Sequence, residues 1–275
     1  MIPRISIILP TYNGVRYIKR TIESVIFQSF LEWELLIIDD GSTDDTERIV
    51  KEYMNKDSRI IYLKNDNNLG IQKTLNKGLR EARGEYIARI DDDDEWVDKD
   101  KIKNQVKFFE SNLDYILVGT GVIVIDEDDN ELFRYLLPES NKEIKNKMLG
   151  KNCFAHSSVV FKRNTALKLG GYNELKEARH VEDYDLWLKL GIVGKLANIP
   201  SYSIKFMQRK GSISQINKTD QFKKNIKLIK NYKNKYPNYY GYLFLSYIKL
   251  ILLKIYNLLP FFVKNIILKL YKNFY

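Results

Sequence analysis

The sequence contains a single cysteine, Cys153, so no disulfide can form within one chain and a reducing compartment is the simplest expectation. It has no uncharged apolar run of the ~20 residues that a membrane-spanning helix needs. Its amino-terminal segment, MIPRISIILP, lacks the order of basic, apolar and small residues that is typical of a signal peptide. These absences predict a cytoplasmic protein.

Acidic residues and arginine are absent from residues 221–275, whose charged side chains are eleven lysines. The whole chain carries a net charge of +10, so residues 1–220 are close to neutral and the positive charge is concentrated at the carboxy-terminal end. We therefore predict a globular domain over residues 1–220 and a basic tail over residues 221–275. An anionic surface is the expected partner of this tail.

The tail contains two apolar-rich stretches, residues 242–257 and 261–273, which Pro260 separates. Their Lys, Ser and Asn residues fall within arcs of about 140° and about 180° on a helical projection, which predicts two amphipathic helices with basic polar faces. This pattern is typical of helices that lie on the inner face of a membrane beside anionic lipid. Packing on the protein itself or formation of a homodimer is the alternative. Nucleic acid is not expected, because no recognised nucleic-acid motif accompanies the lysines.

A glycine-rich phosphate loop is also missing. No G-x-G-x-x-G motif follows the first apolar run, which argues against a dinucleotide-dependent dehydrogenase. A sugar-nucleotide pyrophosphorylase would need a glycine-rich amino-terminal loop, and Gly14 alone does not provide one.

Strand and helix patterns alternate along the amino-terminal part of the chain. The predicted strands are 5–9, 33–39, 59–63 and 85–90, and the predicted helices are 15–28, 43–54 and 71–83. Further along, the pattern predicts a helix at 98–111, strands at 115–125, 132–136 and 157–161, a hairpin turn at 128–130 and a helix at 181–190. This order indicates an α/β fold with a mostly parallel central sheet and a ligand site at the carboxyl ends of its strands.

Two acidic clusters lie where apolar runs end. The four adjacent carboxylates of Asp91–Asp94 repel one another, so a divalent cation, basic groups or solvent must balance their charge. The second cluster, Glu182–Asp185, starts a predicted helix. A cation at the first cluster can bridge the phosphates of a sugar nucleotide, and a carboxylate of the second can accept the proton of an acceptor hydroxyl. Polar loops at residues 10–14 and 39–42 share the same predicted edge, although a simple turn also explains Asp39–Gly41.

Five segments, in this order, resemble the motifs of the family 2 inverting glycosyltransferases of GT-A fold. They are SIILPTYNG at 6–14, IIDDGSTD at 37–44, NLGIQKTLNKGL at 68–79, GEYIARIDDDD at 84–94 and EDYDLWLKL at 182–190. The resemblance covers roughly residues 3–215. It implies an enzyme that moves a sugar from a nucleoside-diphosphate donor, most simply UDP-linked, to a glycan or lipid-linked glycan acceptor in cell-surface polysaccharide synthesis. A catalytically silent membrane-associated scaffold or sugar-nucleotide-binding protein is the alternative.

The resemblance also implies a role for individual residues. The donor would be bound by Pro10, Thr11, Tyr12, Asp40, Lys73, Asp91, Asp92 and Arg209. Asp93, with Asp91, would hold Mn²⁺ or Mg²⁺, and Asp183 would be the catalytic base. Glu182 is implied to support that base or to touch the acceptor.

Four further residues have their own expectations. His156 is weighed between a supporting role at the acceptor and a structural, hydrogen-bonded role. Trp96 and Trp187 are expected to pack in the core rather than to stack on a sugar. Asp185 is expected on the exposed surface of its helix.

Overall fold

The protein forms one mixed sheet with helices on both faces. A computed structural model describes residues 2–209 and 218–258. In this part of the chain the strands are β1 (Ile5–Thr11), β2 (Trp33–Asp39), β3 (Ile60–Lys64), β4 (Tyr86–Arg89), β5 (Glu95–Trp96), β6 (Tyr115–Ile125), β7 (Glu131–Tyr135), β8 (Val160–Lys162) and β9 (Lys195–Met207). The helices are α1 (Ile18–Ile26), α2 (Thr46–Met54), α3 (Ile71–Glu81), α4 (Lys101–Ser111), α5 (Asn141–Lys147), α6 (Arg163–Lys168), α7 (Glu182–Val193), α8 (Lys218–Asn231) and α9 (Tyr239–Leu258). Short 3₁₀ turns occur at His156–Ser158 and Lys176–Ala178.

The sheet has the strand order β3-β2-β1-β4-β8-β6-β9-β5, and β7 pairs with β6. Strands β3, β2, β1 and β4 are parallel, so their carboxyl ends share one edge. Beyond β4 the pairing is mixed, because β8 is antiparallel to both β4 and β6 while β9 is parallel to β6. The predicted α/β class is confirmed, and the parallel arrangement is confined to the amino-terminal strands and the β6–β9 pair.

The core occupies both faces of the sheet, because alternate residues of each buried strand point to opposite sides. Ile7 and Leu9 of β1 pack with α1, α2 and α4 on one face. Ile8 of β1 packs on the other face with α3, α6, α7 and α8. Strands β1 and β2 are buried along their whole length, which is why they appear in the sequence as unbroken apolar runs.

Each predicted strand and helix of residues 1–220 is present, with boundaries that lie within three residues of those observed. The prediction missed the short elements β5, α5 and α6 and the long strand β9, which contains Pro200. Proline cannot donate a hydrogen bond to a neighbouring strand, so it is tolerated at an irregularity. The β6–β9 register shifts at this point, since Thr120 pairs with Ile199 and Gly121 pairs with Tyr202.

Helix α8 begins at Lys218 and packs into the core, so the core extends past residue 220. Leu228, Tyr232 and Tyr236 are buried in the same cluster as α7. The Tyr232 hydroxyl donates to Asp185 Oδ1 at 2.8 Å, and the Tyr236 hydroxyl donates to the Leu188 carbonyl at 2.7 Å. This part of the tail therefore covers the domain's own surface, which was the alternative to membrane contact.

Helix α9 contains the first amphipathic stretch predicted for the tail, and the second, at 261–273, lies outside the described residues. Its exposed side carries Phe244, Ile251 and Leu252, which are 66%, 55% and 59% exposed. The apolar face of α9 thus points away from the protein. Among the helices described here, none combines the length and the apolarity needed to cross a bilayer.

Candidate active site

A cavity of about 480 Å³ opens at the carboxyl ends of β1, β2 and β4, at the edge where the sequence predicted a ligand site. Eleven of the twelve predicted site residues line it: Pro10, Thr11, Tyr12, Asp40, Asp91, Asp92, Asp93, His156, Glu182, Asp183 and Arg209. Both acidic clusters therefore face one space. We call it the donor cavity.

The twelfth residue, Lys73, does not line the donor cavity. It is exposed on α3, whose Ile71 and Thr74 face the cavity instead. Residues three apart share a helix face, whereas Lys73 is rotated away from both of them. The prediction of a donor contact from Lys73 is therefore not supported by its position.

The loops after β1 and β2 are bound to each other. The Asn13 amide donates to Ser42 Oγ, and the Thr43 amide donates to Asn13 Oδ1, each at 2.9 Å. Asp39 Oδ1 accepts from the Ser42 amide at 2.7 Å, so the turn predicted at Asp39–Gly41 is present. These bonds fix the rim of the cavity beside Tyr12, which is half exposed.

Asp40 lines the cavity and also accepts hydrogen bonds from the loop before α3. Its Oδ1 accepts from Asn65 Nδ2 and from the Leu69 amide, and its Oδ2 accepts from the Gly70 amide, all at 2.9 Å. Asp40 thus holds the loop before α3 against the cavity. A hydrogen bond from Asp40 to the nucleotide base of the donor would have to use the remaining lone pairs of this carboxylate.

The four aspartates after β4 have different surroundings. Asp91 pairs with Arg89, and Asp92 Oδ2 accepts from the Thr11 hydroxyl at 2.6 Å. Asp93 Oδ2 lies 2.6 Å from an Arg209 guanidinium nitrogen. Asp94 is buried and accepts from the Ser157 hydroxyl and the Met207 amide, so it anchors the turn to β9. Asp91, Asp92 and Asp93 line the cavity, whereas Asp94 does not.

The electrostatics of this cluster favour bound positive charge. Burial and the neighbouring Asp93 raise the pKa of Asp92 to about 7. Burial and the charge of Asp91 raise the pKa of Asp93. Burial also opposes ionisation of Asp91, but the Arg89 guanidinium outweighs it and lowers the pKa of Asp91. Three carboxyl groups of this cluster face the cavity beside two guanidinium groups, and the raised pKa values of Asp92 and Asp93 show that full ionisation of the cluster requires further positive charge.

Arg89 is a site residue that the sequence prediction missed. It is almost fully buried, it pairs with Asp91, and its Nε has no hydrogen-bond partner among the described residues. Its position inside a strand pattern indicated only β-structure. Arg179 and His180, which also line the cavity, precede α7 in a segment without regular structure, and no sequence pattern distinguished them.

The second acidic cluster forms the first turn of α7. Asp183 Oδ2 accepts from Asn152 Nδ2 at 2.8 Å, and burial raises the pKa of Asp183. Glu182 Oε2 is buried without a partner among the described residues, and burial together with Asp183 raises the pKa of Glu182 to about 7. A carboxylate with a raised pKa is a better proton acceptor once ionised. Both residues are therefore suited to acid–base chemistry at the cavity wall.

His156 lines the donor cavity and is also held by the protein, as its structural role predicts. Its Nε2 lies 3.1 Å from the Tyr172 hydroxyl, and its ring contacts Trp187 edge-on. Burial and the charge of Arg89 lower the pKa of His156 to about 3. His156 is therefore neutral and can exchange hydrogen bonds but does not carry charge.

Two expectations about neighbouring residues have opposite outcomes. Trp96 and Trp187 are buried in the core, which confirms the packing role. The expectation that Asp185 is exposed is wrong. Its side chain is buried, and it pairs with Lys189 at 2.8 Å and accepts from the Tyr232 hydroxyl, because α8 covers this side of α7.

Within residues 2–209 and 218–258, no group of three or more His, Cys, Asp and Glu side chains could hold a metal ion alone. A cation that also binds substrate phosphates needs only one or two carboxylates from the protein. Asp93 fits this requirement best, because it faces the cavity, and burial together with the charge of Asp91 raises its pKa. Both carboxylates have one oxygen paired with an arginine, but Asp91 fits less well because its partner Arg89 is buried, whereas Arg209, the partner of Asp93, is 40% exposed.

Comparison with known proteins agrees with this geometry. The sequence model of Glycosyl transferase family 2 matches residues 6–169. The chain belongs to this family. Glycosyltransferase EpsE of Bacillus subtilis is 36% identical over 68% of this chain and 66% of its own length, so this chain spans about two thirds of that relative.

A second relative of this family 2 chain carries a more specific name. The UDP-Glc:alpha-D-GlcNAc-diphosphoundecaprenol beta-1,3-glucosyltransferase WfgD of Escherichia coli is 33% identical over 77% of this chain and 78% of its own length. Among solved structures, the mannosyltransferase PcManGT of Pyrobaculum calidifontis in complex with GDP-Man and Mn²⁺ matches with a TM-score of 0.66. That match has 18% identity and covers 91% of this chain and 70% of PcManGT. The fold is the GT-A fold.

Proposed function

We propose that the protein is an inverting glycosyltransferase that transfers a sugar from a nucleoside-diphosphate donor, UDP-linked, to a hydroxyl of a glycan or lipid-linked glycan in cell-surface polysaccharide synthesis. One observation carries this proposal. A single cavity joins the β1 and β2 loops, the Asp91–Asp93 cluster, Asp183 and Arg209. The relative named for a UDP-glucose reaction supports the choice of nucleotide.

In the proposed reaction, Asp183 accepts the proton of the acceptor hydroxyl. The resulting oxygen attacks the anomeric carbon, and the bond between that carbon and the nucleoside diphosphate breaks. Arg209 lies beside Asp93 and supplies positive charge for the departing diphosphate. Glu182, next to Asp183, touches the acceptor or supports the base. Attack from the face opposite the leaving group inverts the anomeric configuration.

A divalent cation, Mn²⁺ or Mg²⁺, fits the proposed site at Asp93 with Asp91, where it would neutralise the charge of the leaving diphosphate as a Lewis acid. The surplus of carboxylates over Arg89 and Arg209 at this end of the cavity supports the assignment. The Mn²⁺ in the PcManGT complex is a further support.

We also propose that the protein works as a peripheral protein on the inner face of the cell membrane, held by the tail. The support is the exposed apolar face of α9 and the absence of acidic residues from residues 221–275. Each lysine near an anionic surface adds about 1 kcal/mol of attraction at low salt. Contact between the α9 faces of two chains is the alternative use of the same surface.

Thermal unfolding of the full chain with a panel of UDP-glucose, UDP-N-acetylglucosamine and GDP-mannose, each with Mn²⁺, Mg²⁺ or EDTA, tests the donor and the metal together. A ligand at 100 times its Kd stabilises the folded state by ~2.7 kcal/mol. We expect a metal-dependent shift with a UDP-sugar, followed by slow release of UDP in a hydrolysis assay. A panel in which no nucleotide sugar shifts the transition would contradict the proposal and favour the silent scaffold.

A further inference from the structure

A second cavity, of about 230 Å³, lies beside the donor cavity and has the carboxy-terminal helices as one wall. His180 and Asp183 line both cavities, so the two spaces meet at the proposed base. The remaining wall of the second cavity comes from Val181 and Tyr184, from residues 149–152, and from α8 and α9. An acceptor hydroxyl that reaches Asp183 from the side opposite the donor would come from this direction. We call this space the tail cavity.

The wall contributed by α8 and α9 is docked firmly. Tyr232 and Tyr236, in the segment between α8 and α9, hold that segment to α7 through the hydrogen bonds described above. The Tyr242 ring of α9 lies directly against Gly150, where any Cβ would overlap it. The tail cavity is therefore a built feature of the fold, and residues 222–249 take part in it.

The lining of the tail cavity is basic at its edges and polar inside. Lys151 and Lys249 line it, and neither forms an ion pair among the described residues. Asn225 also lines it, and its Oδ1 is buried without a partner in the same part of the chain. Ser246 adds a hydroxyl. Two uncommitted ammonium groups beside polar side chains are suited to the oxygens of a phosphate ester.

The orientation of α9 strengthens this reading. Ser246 and Lys249 line the tail cavity, with Lys249 also exposed at its edge, whereas Phe244, Ile251 and Leu252 are exposed and do not line it. These two residues belong to the polar face that the sequence predicted would lie beside a membrane. They therefore lie beside the catalytic domain. An acceptor with a polar phosphate and an apolar chain would meet both faces of the same helix.

We propose that the tail cavity binds a phosphate or diphosphate ester of the acceptor through Lys151 and Lys249, while the acceptor hydroxyl reaches Asp183. The inference rests on the proposed glycosyl transfer and adds the class of acceptor to it. It makes α8 and α9 part of the specificity of the enzyme rather than only an anchor. Lys249 is then a specificity-determining residue contributed by the tail.

Binding of decyl diphosphate and of decyl glucoside to the full chain, measured by titration calorimetry in saturating UDP and Mn²⁺, tests the inference. Wild type should bind the diphosphate more tightly than the glucoside. Lys249→Gln and Lys151→Gln should each weaken diphosphate binding by about fivefold to tenfold, since each removes one charge-assisted contact. The matched control is Lys254→Gln, which removes the same charge from α9 at an exposed position outside the cavity lining and should change binding by less than about twofold.

Three outcomes would overturn the proposal: binding of decyl diphosphate that is found without UDP but lost in saturating UDP, equal weakening in Lys254→Gln and Lys249→Gln, or equal affinity for the glucoside. Inorganic pyrophosphate is titrated as a further ligand in the same experiment. Binding of pyrophosphate as tight as that of decyl diphosphate, with the same lysine dependence, would support the phosphate pocket and identify a free diphosphate as its source. Release of UDP from a UDP-sugar, assayed in parallel, tests glycosyl transfer separately. If this activity is absent while lysine-dependent binding of decyl diphosphate is intact, only the proposed function is contradicted.

Discussion

Replacing Asp183 by asparagine separates binding from chemistry in the proposed mechanism. The amide keeps the shape of the carboxylate and can still bond to Asn152, which donates to Asp183 Oδ2 at 2.8 Å in the native protein. It cannot take up the proton of the acceptor hydroxyl. Removal of a positioned general base costs ~10²–10⁴ in rate, so we expect kcat to fall by that factor. This corresponds to about 3–5 kcal/mol of activation free energy.

Donor affinity should change little in Asp183→Asn, because the residues proposed to hold the donor come from other elements. Arg209 and Asp93 form their own ion pair at the far wall, and Thr11 belongs to β1. Donor Kd, measured by thermal shift with a UDP-sugar and Mn²⁺, should stay within about threefold of wild type. The pH profile adds a second readout. Since burial raises the pKa of Asp183 and the base must be ionised, wild-type kcat should rise with pH through that pKa, and the variant should lack this rise.

Asp185→Asn is the matched control, two residues further along the same helical turn. Its carboxylate pairs with Lys189 and accepts from Tyr232, and it lines neither cavity. We expect a loss of about 1–3 kcal/mol in the free energy of unfolding with kcat unchanged. Near-normal kcat in Asp183→Asn, or a ~10²-fold loss found only in Glu182→Gln, would refute Asp183 as the base.

Three further predictions concern the metal, the core and the tail. Asp93→Asn should fold normally but lose Mn²⁺-dependent donor binding and nearly all transfer, because the amide lacks the charge that faces the cation; normal turnover with Mn²⁺ would contradict this. Burial lowers the pKa of Lys101 in the folded protein to about 7. The unfolded chain therefore binds more protons than the folded protein between pH ~7 and ~10, and the free energy of unfolding of wild type should rise with pH there by up to ~1.4 kcal/mol per pH unit. Urea unfolding at pH 7 and pH 9 should show that Lys101→Met loses this rise, and an equal rise in both proteins would disprove it. The double variant Phe244→Glu with Ile251→Glu should abolish flotation with anionic liposomes. The control variant Leu113→Glu, which changes an exposed residue on another surface, should float as wild type does. Unchanged flotation of the α9 variant, or a wild-type dimer that the α9 variant dissociates, would assign the exposed face of α9 to another role.

The positions of the polar loops were predictable because the central strands are parallel and buried on both faces. Strands β1 and β2 are continuous apolar runs, and each is followed at once by polar residues. Parallel strands bring their carboxyl ends to one edge whatever their exact lengths. The order of the elements was therefore sufficient to bring residues 10–14, 39–42 and 91–94 together.

What each aspartate does could not be predicted in this way. Asp92 and Asp94 are neighbours in a run of identical residues, yet one binds Thr11 and the other is buried against Ser157 and β9. These partners are remote in the sequence, and only the packing of β8 and β9 against the turn selects between them. The same holds for Lys73, whose direction depends on which face of α3 meets the cavity.

The carboxy-terminal tail shows most clearly which properties follow from the sequence and which follow from the tertiary structure. Its amino-acid sequence by itself determined that residues 221–275 carry only positive charge and that α9 is amphipathic, since both follow from composition and from the helical period. Only the tertiary structure decided which way α9 faces, with Ser246 and Lys249 turned to a cavity beside Asp183 and its apolar residues turned outward. Helical period fixes the angle between two faces of a helix, but the surface that each face meets depends on partners such as Gly150, which is far from α9 in the chain.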